Sequence, residues 1–379
     1  AVMSGLRLWL GGLGMVLGWA MVADAGSMIT LFDSTAPYPS ALTRDGQAFA
    51  GGRIGGYGYA GRYRNGTNTT IEDPTGPYVD AVTGISNDGN VVTGDLYRDD
   101  ACAYRWENGV LEPLLGPGDA WSYTGLGNSV SADGSIVVGA AGGGGTSGPA
   151  FWQGGVRTFL PTPVGTIGGY ADSISADGRT IVGGVAGPNG NQAVVWRDGV
   201  LSILPDLPGG SDYPTAINVS SDGSVIVGAV DSASGYSIAR WVNGDLEVLK
   251  RLPSGGGFAP SGHELSDDGS IVLFTPGLMS EVWREGIGSK TFDLYAERHF
   301  GFSLASVIPD FMAVYVGEMT PDGNTFSGVL YDSNYSARSF ILYLDPADYV
   351  IPEPSSLALA GCAAVGLLWA GRRSRAGRN

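Results

Sequence analysis

The stretch ISADGRTIVGG at residues 174–184 occurs in seven close copies along the chain, and this recurrence limits the fold more than any other feature. The other copies are LTRDGQAFAGG from 42, ISNDGNVVTG from 85, VSADGSIVVG from 130, VSSDGSVIVG from 219, LSDDGSIVLF from 265 and MTPDGNTFSG from 319. Their Asp-Gly pairs begin at 45, 88, 133, 177, 222, 268 and 322, so the spacing is 43–46 residues, with one longer gap of 54 before the last copy. A period of that size matches one small antiparallel sheet per repeat, stacked as in a propeller blade. In each copy an apolar stretch runs into Asp-Gly, which suits the positive φ of a tight turn. A β-branched run follows, then an aromatic, a second turn such as WENG at 106 or WVNG at 241, and a short apolar strand. Two hairpins in series predict four strands per copy.

The recurring aromatics are Tyr63, Trp106, Trp152, Trp196, Trp241 and Trp283, and Tyr343 takes that place in the last copy. Their fixed position on the third strand predicts burial between neighbouring sheets. A glycine recurs after the second strand (Gly94, Gly139, Gly183, Gly228, Gly328), where it permits a bend or a close backbone approach. The last copy stops after its third strand, SFILYLD, whereas SMITLF at 27–32 precedes the first copy without a partner. Pairing these two closes the array and leaves no open end. The expected fold is therefore all-β: a closed seven-bladed β-propeller over 26–350, with strand 27–32 completing the last blade. The two cysteines, Cys102 and Cys362, leave no disulfide to staple that body, because Cys362 lies in the apolar tail.

The two ends read differently from the body. Residues 1–25 carry one basic residue, Arg7, then an apolar run and small residues at Ala23 and Ala25, the order of a secretory leader forming a helix. At the other end Ser355 to Gly371 is uncharged and mostly apolar, long enough for a short transmembrane helix, and Arg372, Arg373, Arg375 and Arg378 follow. That basic cluster places everything before the helix outside the cytoplasm. Pro352, Glu353 and Pro354 stand immediately before the span. Motif, span and Arg tail in this order at 351–379 resemble the PEP-CTERM sorting signal of Gram-negative bacteria. The resemblance implies an exosortase, a membrane cysteine protease, as partner, and a place among exported proteins of exopolysaccharide and biofilm matrix. Localisation is then the cell envelope or extracellular matrix, with transient anchoring in the inner membrane. The repeats are also similar to those of extracellular HAF repeat proteins: PAFW at 149 and QAVVW at 192 sit where that motif falls, without its His.

A formal net charge of −16 excludes a nucleic-acid partner, which needs Lys and Arg against its phosphates. Function is expected on the face carrying the long loops between and within blades, each with an aromatic: Tyr38, Tyr78, Trp121, Tyr123, Tyr170, Tyr213 and Phe258. Tyr and Trp among Gly, Asn and Asp make a rigid amphipathic contact surface, suited to polysaccharide or to another envelope protein. Phosphate loops, redox cysteine pairs and helical metal motifs are absent from the sequence, so no cofactor, metal or catalytic residue is assigned. The two histidines, His263 and His299, are too few for a zinc site. The rival class is a polysaccharide hydrolase or lyase working with paired carboxylates from two blades. The longest departure from the repeat, 284–318, holds FDLYAERHF, a short-helix candidate and a place for a grafted function or a channel cap.

Overall fold

A computed structural model describes residues 19–22, 26–32, 37–52, 60–72, 79–97, 101–116, 125–143, 146–188, 190–209, 214–232, 235–252, 261–277, 279–308 and 310–348. Within these residues seven antiparallel sheets form, one per repeat. Blade one begins with Ala41–Leu42. Blades two to six begin with Val79–Ile85, Gly125–Val130, Gly168–Ile174, Thr215–Val219 and Ser261–Leu265, and blade seven with Phe311–Met319. Adjacent blades pack face to face in sequence order, and blade seven meets blade one. The fold is an all-β seven-bladed propeller.

The Asp-Gly turn is held by a third residue, two positions before the Asp. The hydroxyls of Thr43, Ser86, Ser131, Ser175, Ser220, Ser266 and Thr320 each donate to the Asp two residues on, at 2.5–2.8 Å. The same oxygens accept the N–H five residues on, at 2.9–3.0 Å. Only the glycine of the pair takes positive φ, from 68° to 76°, so the Asp acts through its carboxylate rather than its backbone. In the second turn of blades one to five both residues are left-handed, as in Asn243 (52°) and Gly244 (94°), the geometry of a two-residue hairpin.

The recurring glycines lie inside the second strand, not after it: Gly183, for example, is in the middle of Thr180–Gly187. Close approach is their reason. A Cβ at Gly94, Gly139, Gly183, Gly228 or Gly328 would stand 1.8–2.1 Å from a carbonyl oxygen of the paired first strand. That strand carries a bulge at the same level, at Thr83, Asn128, Asp172, Ile217 and Gly317. The bulge turns these residues toward the ring's centre.

The tryptophans are core. Trp106, Trp152, Trp196 and Trp241 are at most 2 % exposed, and Trp283 is 7 %. Tyr63 and Tyr343 are only partly buried. Each tryptophan packs against the preceding blade, as Trp241 does with Val182, Val195 and Leu204. Its indole N–H donates to Pro205 O at 2.8 Å.

Closure follows the expected pairing. Met28–Leu31 runs antiparallel to Ala337–Tyr343, with Ile29 opposite Leu342, and both side chains are fully buried. One departure accompanies it. Trp19–Val22, the described part of the expected leader helix, is a strand that pairs with Met28–Leu31. The order of basic residue, apolar run and small residues predicts a helix there, but the unpaired N–H and C=O groups of Met28–Leu31 give an extended neighbour hydrogen-bond partners. Among the described residues no helix is long and apolar enough to cross a membrane, and the expected span at 355–371 lies outside them.

The 284–318 departure is also shorter than its repeat spacing implied, since Phe311–Met319 is a regular first strand. The real excursion is α1 (Phe292–Phe300), closed by Gly301 in the left-handed region, and one turn at Leu304–Ser306. Phe292, Tyr295 and Phe300 join the core between blades six and seven, with Phe326 and Leu342. None of the helix's residues lines the central channel.

Candidate functional site

Two concave regions stand out. The first lies on the long-loop face between blades three and four, a groove of about 310 Å³. Gly142, Gly148 and Gly168 lie along it, Phe159 and Ile167 form its apolar walls, and Ser147, Thr162 and Thr166 bring hydroxyls. Phe159 is 52 % exposed, and the Arg157 guanidinium sits 5.0 Å from its ring centroid. A Cβ at Gly148 would stand 3.6 Å from that ring, in ordinary contact with the groove's apolar wall. The Thr166 hydroxyl donates to Pro163 O at 2.8 Å and Ile167 N–H to Ala186 O at 2.8 Å, fixing the loop.

Of the aromatics expected on this face, Tyr170 is exposed on the first strand of blade four. Tyr38 is partly buried and faces the central channel, where its ring centroid lies 6.4 Å from that of Tyr315. Burial, then the neighbouring Tyr315 and Glu318, push its hydroxyl above the usual tyrosine range. Tyr78, Trp121, Tyr123, Tyr213 and Phe258 lie outside the described residues, as do Pro352, Glu353, Pro354, Arg372, Arg373 and Arg375.

The second region is the channel itself, about 500 Å³, lined by the first strands of all seven blades. Its wall carries a belt of bonds, each crossing from one blade to the next. Ser40 Oγ donates to Val82 O at 2.8 Å, Thr83 Oγ1 to Gly127 O, and Asn128 Nδ2 to Ala171 O at 2.8 Å. Ser173 Oγ donates to Asn218 Oδ1 at 2.8 Å, and the Asn218 side chain bonds in turn to Glu264. Glu264 lies near enough to Glu318 for its charge to act on it, and Glu318 accepts the Leu42 N–H, returning to blade one. Asp172, beside the belt, accepts from Thr215 Oγ1 at 3.3 Å.

These acids are enclosed by protein, yet each keeps part of its surface open to the channel. Burial pushes Asp172 up to about 8, against the lowering effect of Thr215. Burial also raises Glu264, partly offset by Asn218. Glu318 is raised well above the carboxylate range by burial and then by the charge of Glu264, with the Leu42 N–H opposing. Arg44 is the one cationic residue among the described channel-lining residues, and it is paired with Asp267 at 2.7 Å at the turn-face mouth. Chemically the wall therefore offers carboxyls whose protonated form burial favours, with Tyr38 and Tyr315 beside Glu318.

Glu264, Glu318 and Asn218 were not singled out from the sequence. A signal was present: all three occupy the position four before the Asp of the turn, where the other copies have Ala41, Gly84, Ser129 and Ser173. Among the described residues no group of His, Cys, Asp and Glu is arranged to hold a metal. His299 is buried in the core against Tyr295, with ring centroids 5.5 Å apart, and the side chain of His263 lies outside the described residues.

No protein-family profile matches the chain, and no curated protein does. Solved structures do. An oligogalacturonate lyase from Vibrio parahaemolyticus aligns with a TM-score of 0.56 at 12 % identity, covering 89 % of this chain and 99 % of the lyase. The Cps50 (Swd1) β-propeller domain from Myceliophteria thermophila aligns at 0.50 and 12 % identity, covering 82 % and 97 %. TolB from Acinetobacter baumannii aligns at 0.43 and 14 % identity, covering 75 % of this chain, which spans 59 % of TolB. Likeness at such identities establishes the propeller and nothing about its chemistry.

Proposed function

We propose that this protein is an exported, non-enzymatic component of the cell envelope or extracellular matrix that binds polysaccharide through the long-loop face of its propeller. The groove between blades three and four carries the reading. An exposed aromatic wall, a glycine floor and clustered hydroxyls suit a sugar ring, whose C–H face stacks on Phe159 while its hydroxyls meet Ser147, Thr162 and Thr166. Tyr170, exposed nearby in the chain, extends the same surface. Retention of the purified chain on the producing organism's own polysaccharide tests it. Phe159→Ala and Tyr170→Ala are each expected to weaken retention about tenfold with an unchanged melting temperature. Equal retention of both variants would refute the proposal.

Export and sorting belong to the same proposal. The leader at 1–25 directs secretion, and Pro352, Glu353, Pro354, the span 355–371 and Arg372, Arg373 and Arg375 direct an exosortase-type step. In a host carrying that protease, removal of 351–379 is expected to shift the protein from envelope to medium without cleavage intermediates.

A second reading, a carboxylate-dependent polysaccharide hydrolase or lyase, is favoured by one observation. Glu264 of blade six and Glu318 of blade seven converge in the channel wall. A turnover assay on any retained glycan, with Glu318→Gln as control, separates the two readings. Turnover abolished by that substitution favours the enzyme.

A further inference from the structure

The belt around the channel changes chemical character at one junction. Between blades one and two, two and three, three and four, four and five, and five and six, a neutral hydroxyl or amide is one of the partners. Between blades six and seven two carboxyl groups, Glu264 and Glu318, line the channel from adjacent first strands, near enough for the charge of one to act on the other. On either side of that pair the backbones are pinned across the same junction. Val316 N–H donates to Ser280 Oγ at 2.8 Å, Ser280 Oγ donates to Val316 O at 3.1 Å, and Asp267 N–H donates to Pro321 O at 2.7 Å. The carboxyls therefore cannot separate far without breaking those bonds.

We infer that Glu264 and Glu318 form a proton-sharing clasp, which closes the belt between blades six and seven while at least one proton is held and opens that junction when both carboxyls ionise. The inference is independent of what the groove binds. The groups facing the clasp give no alternative counter-charge. Glu264 meets the Asn218 amide from blade five. Glu318 meets the Leu42 N–H from blade one and the phenols of Tyr38 and Tyr315, beside which Tyr331 lies, with Ser327 directly across the sheet. Ser327 Oγ is buried and has no hydrogen-bond partner. Arg44 is committed to Asp267 at the rim. With no described cation beside it, a doubly ionised pair in a low-dielectric wall repels, and separation of the strands that carry it is the available relief. Asp172 lies elsewhere on the wall, between blades four and five, and its hydroxyl partner leaves no second charge to repel.

Amide hydrogen exchange on the full chain tests this. The Val316 N–H, bonded across the junction, is expected to exchange at least tenfold faster at pH 9 than at pH 6 after correction for the intrinsic pH dependence of exchange. The Ala176 N–H, which donates to Ser221 O at 3.1 Å across the junction of blades four and five, is expected to hold its protection. In the Glu264→Gln, Glu318→Gln double variant the difference at Val316 is expected to vanish. Equal protection of Val316 at both pH values in the wild-type chain overturns the clasp, and that measurement stands even if the variant does not fold. Persistence of the pH effect in a folded double variant overturns it as well.

Discussion

The junction between blades four and five and the junction between blades six and seven solve one packing problem in two ways. At the first, Trp241 fills the space, Arg197 Nη1 crosses to Gly223 O at 2.7 Å, and Ser173 meets Asn218 in the channel wall. Arg62, Arg105 and Arg240 make the corresponding crossing to Gly89, Gly134 and Gly269 at 2.6–3.2 Å, so this is the repeat's own device. At the second, α1 supplies Phe292 and Tyr295 against Phe326, with Phe292 and Phe326 centroids 4.9 Å apart, and Arg284 donates to the Tyr295 hydroxyl at 3.0 Å. The wall there holds two acids. A junction built by repetition is tied by one indole, one arginine and a hydroxyl–amide pair in the wall. The junction where the extra chain length enters is tied by aromatic packing and by groups that titrate.

Removing the indole tests the regular junction hardest. Trp241→Ala is expected to cost about 3–5 kcal/mol in denaturant unfolding. Phe292→Ala should fall at the low end of that range, because Tyr295 and Phe326 close part of the hole. A cost for Phe292→Ala above that of Trp241→Ala would reverse the comparison. Next comes Gly228→Ala. Its Cβ would stand 2.1 Å from Thr215 O, so backbone must move, and about 2–3 kcal/mol is expected from the same unfolding curves. Ser220→Ala leaves Asp222 and the Val225 N–H without their shared hydroxyl, for about 1–2 kcal/mol.

The pH profile of melting temperature carries two opposite slopes. Asp172, Glu264 and Glu318 keep protons in the folded state that the unfolded chain gives up above about pH 4.5. Stability is therefore expected to fall as pH rises from about 5 toward 8, at no more than about 1.4 kcal/mol per pH unit for each proton. The turn carboxylates Asp88, Asp133, Asp177, Asp222 and Asp268 are held below the usual range, with hydrogen bonds from Ser hydroxyls and backbone N–H groups lowering them. Their contribution is present above about pH 4 and is lost as pH drops through the folded values. A stability maximum near pH 4–5 is the expected result; a maximum at pH 8 would contradict the assignment of the three raised acids, and no loss of stability below pH 4 would contradict that of the turn carboxylates. The smallest effect belongs to Arg179→Ala. Its ion pair with Asp198, at 2.7 Å, lies on exposed surface, and no measurable change in melting temperature is expected.

Much of this was legible before any coordinates. Seven Asp-Gly pairs, an aromatic 18 or 19 residues after most of them and an unpaired strand at each end are local patterns, and hydrogen-bonding rules convert them into blades and a closure. The Ser or Thr two before each Asp was equally present in all seven copies, but its role needs the turn's geometry, which brings one hydroxyl between a carboxylate and a distant N–H. The glycines were read as bends, whereas their constraint comes from a bulged partner strand that only pairing creates. Tyr38 was read as a loop aromatic and stands in the channel wall, because the residues around it pair with blade one: its N–H bonds to Gly52 O.

The periodic sequence, by itself, determined that the chain would make sheets of one kind, how many, and which strand would join its two ends. Each of those depends on short-range turn chemistry and on the alternation of apolar residues. Which side chains meet in the middle was decided only by the closed ring. Glu264 and Glu318 occupy equivalent places in successive copies, where the pattern of any single copy shows one acid with nothing opposite it. Curvature of the ring brings equivalent places of neighbouring blades together, and burial then changes the chemistry of both groups.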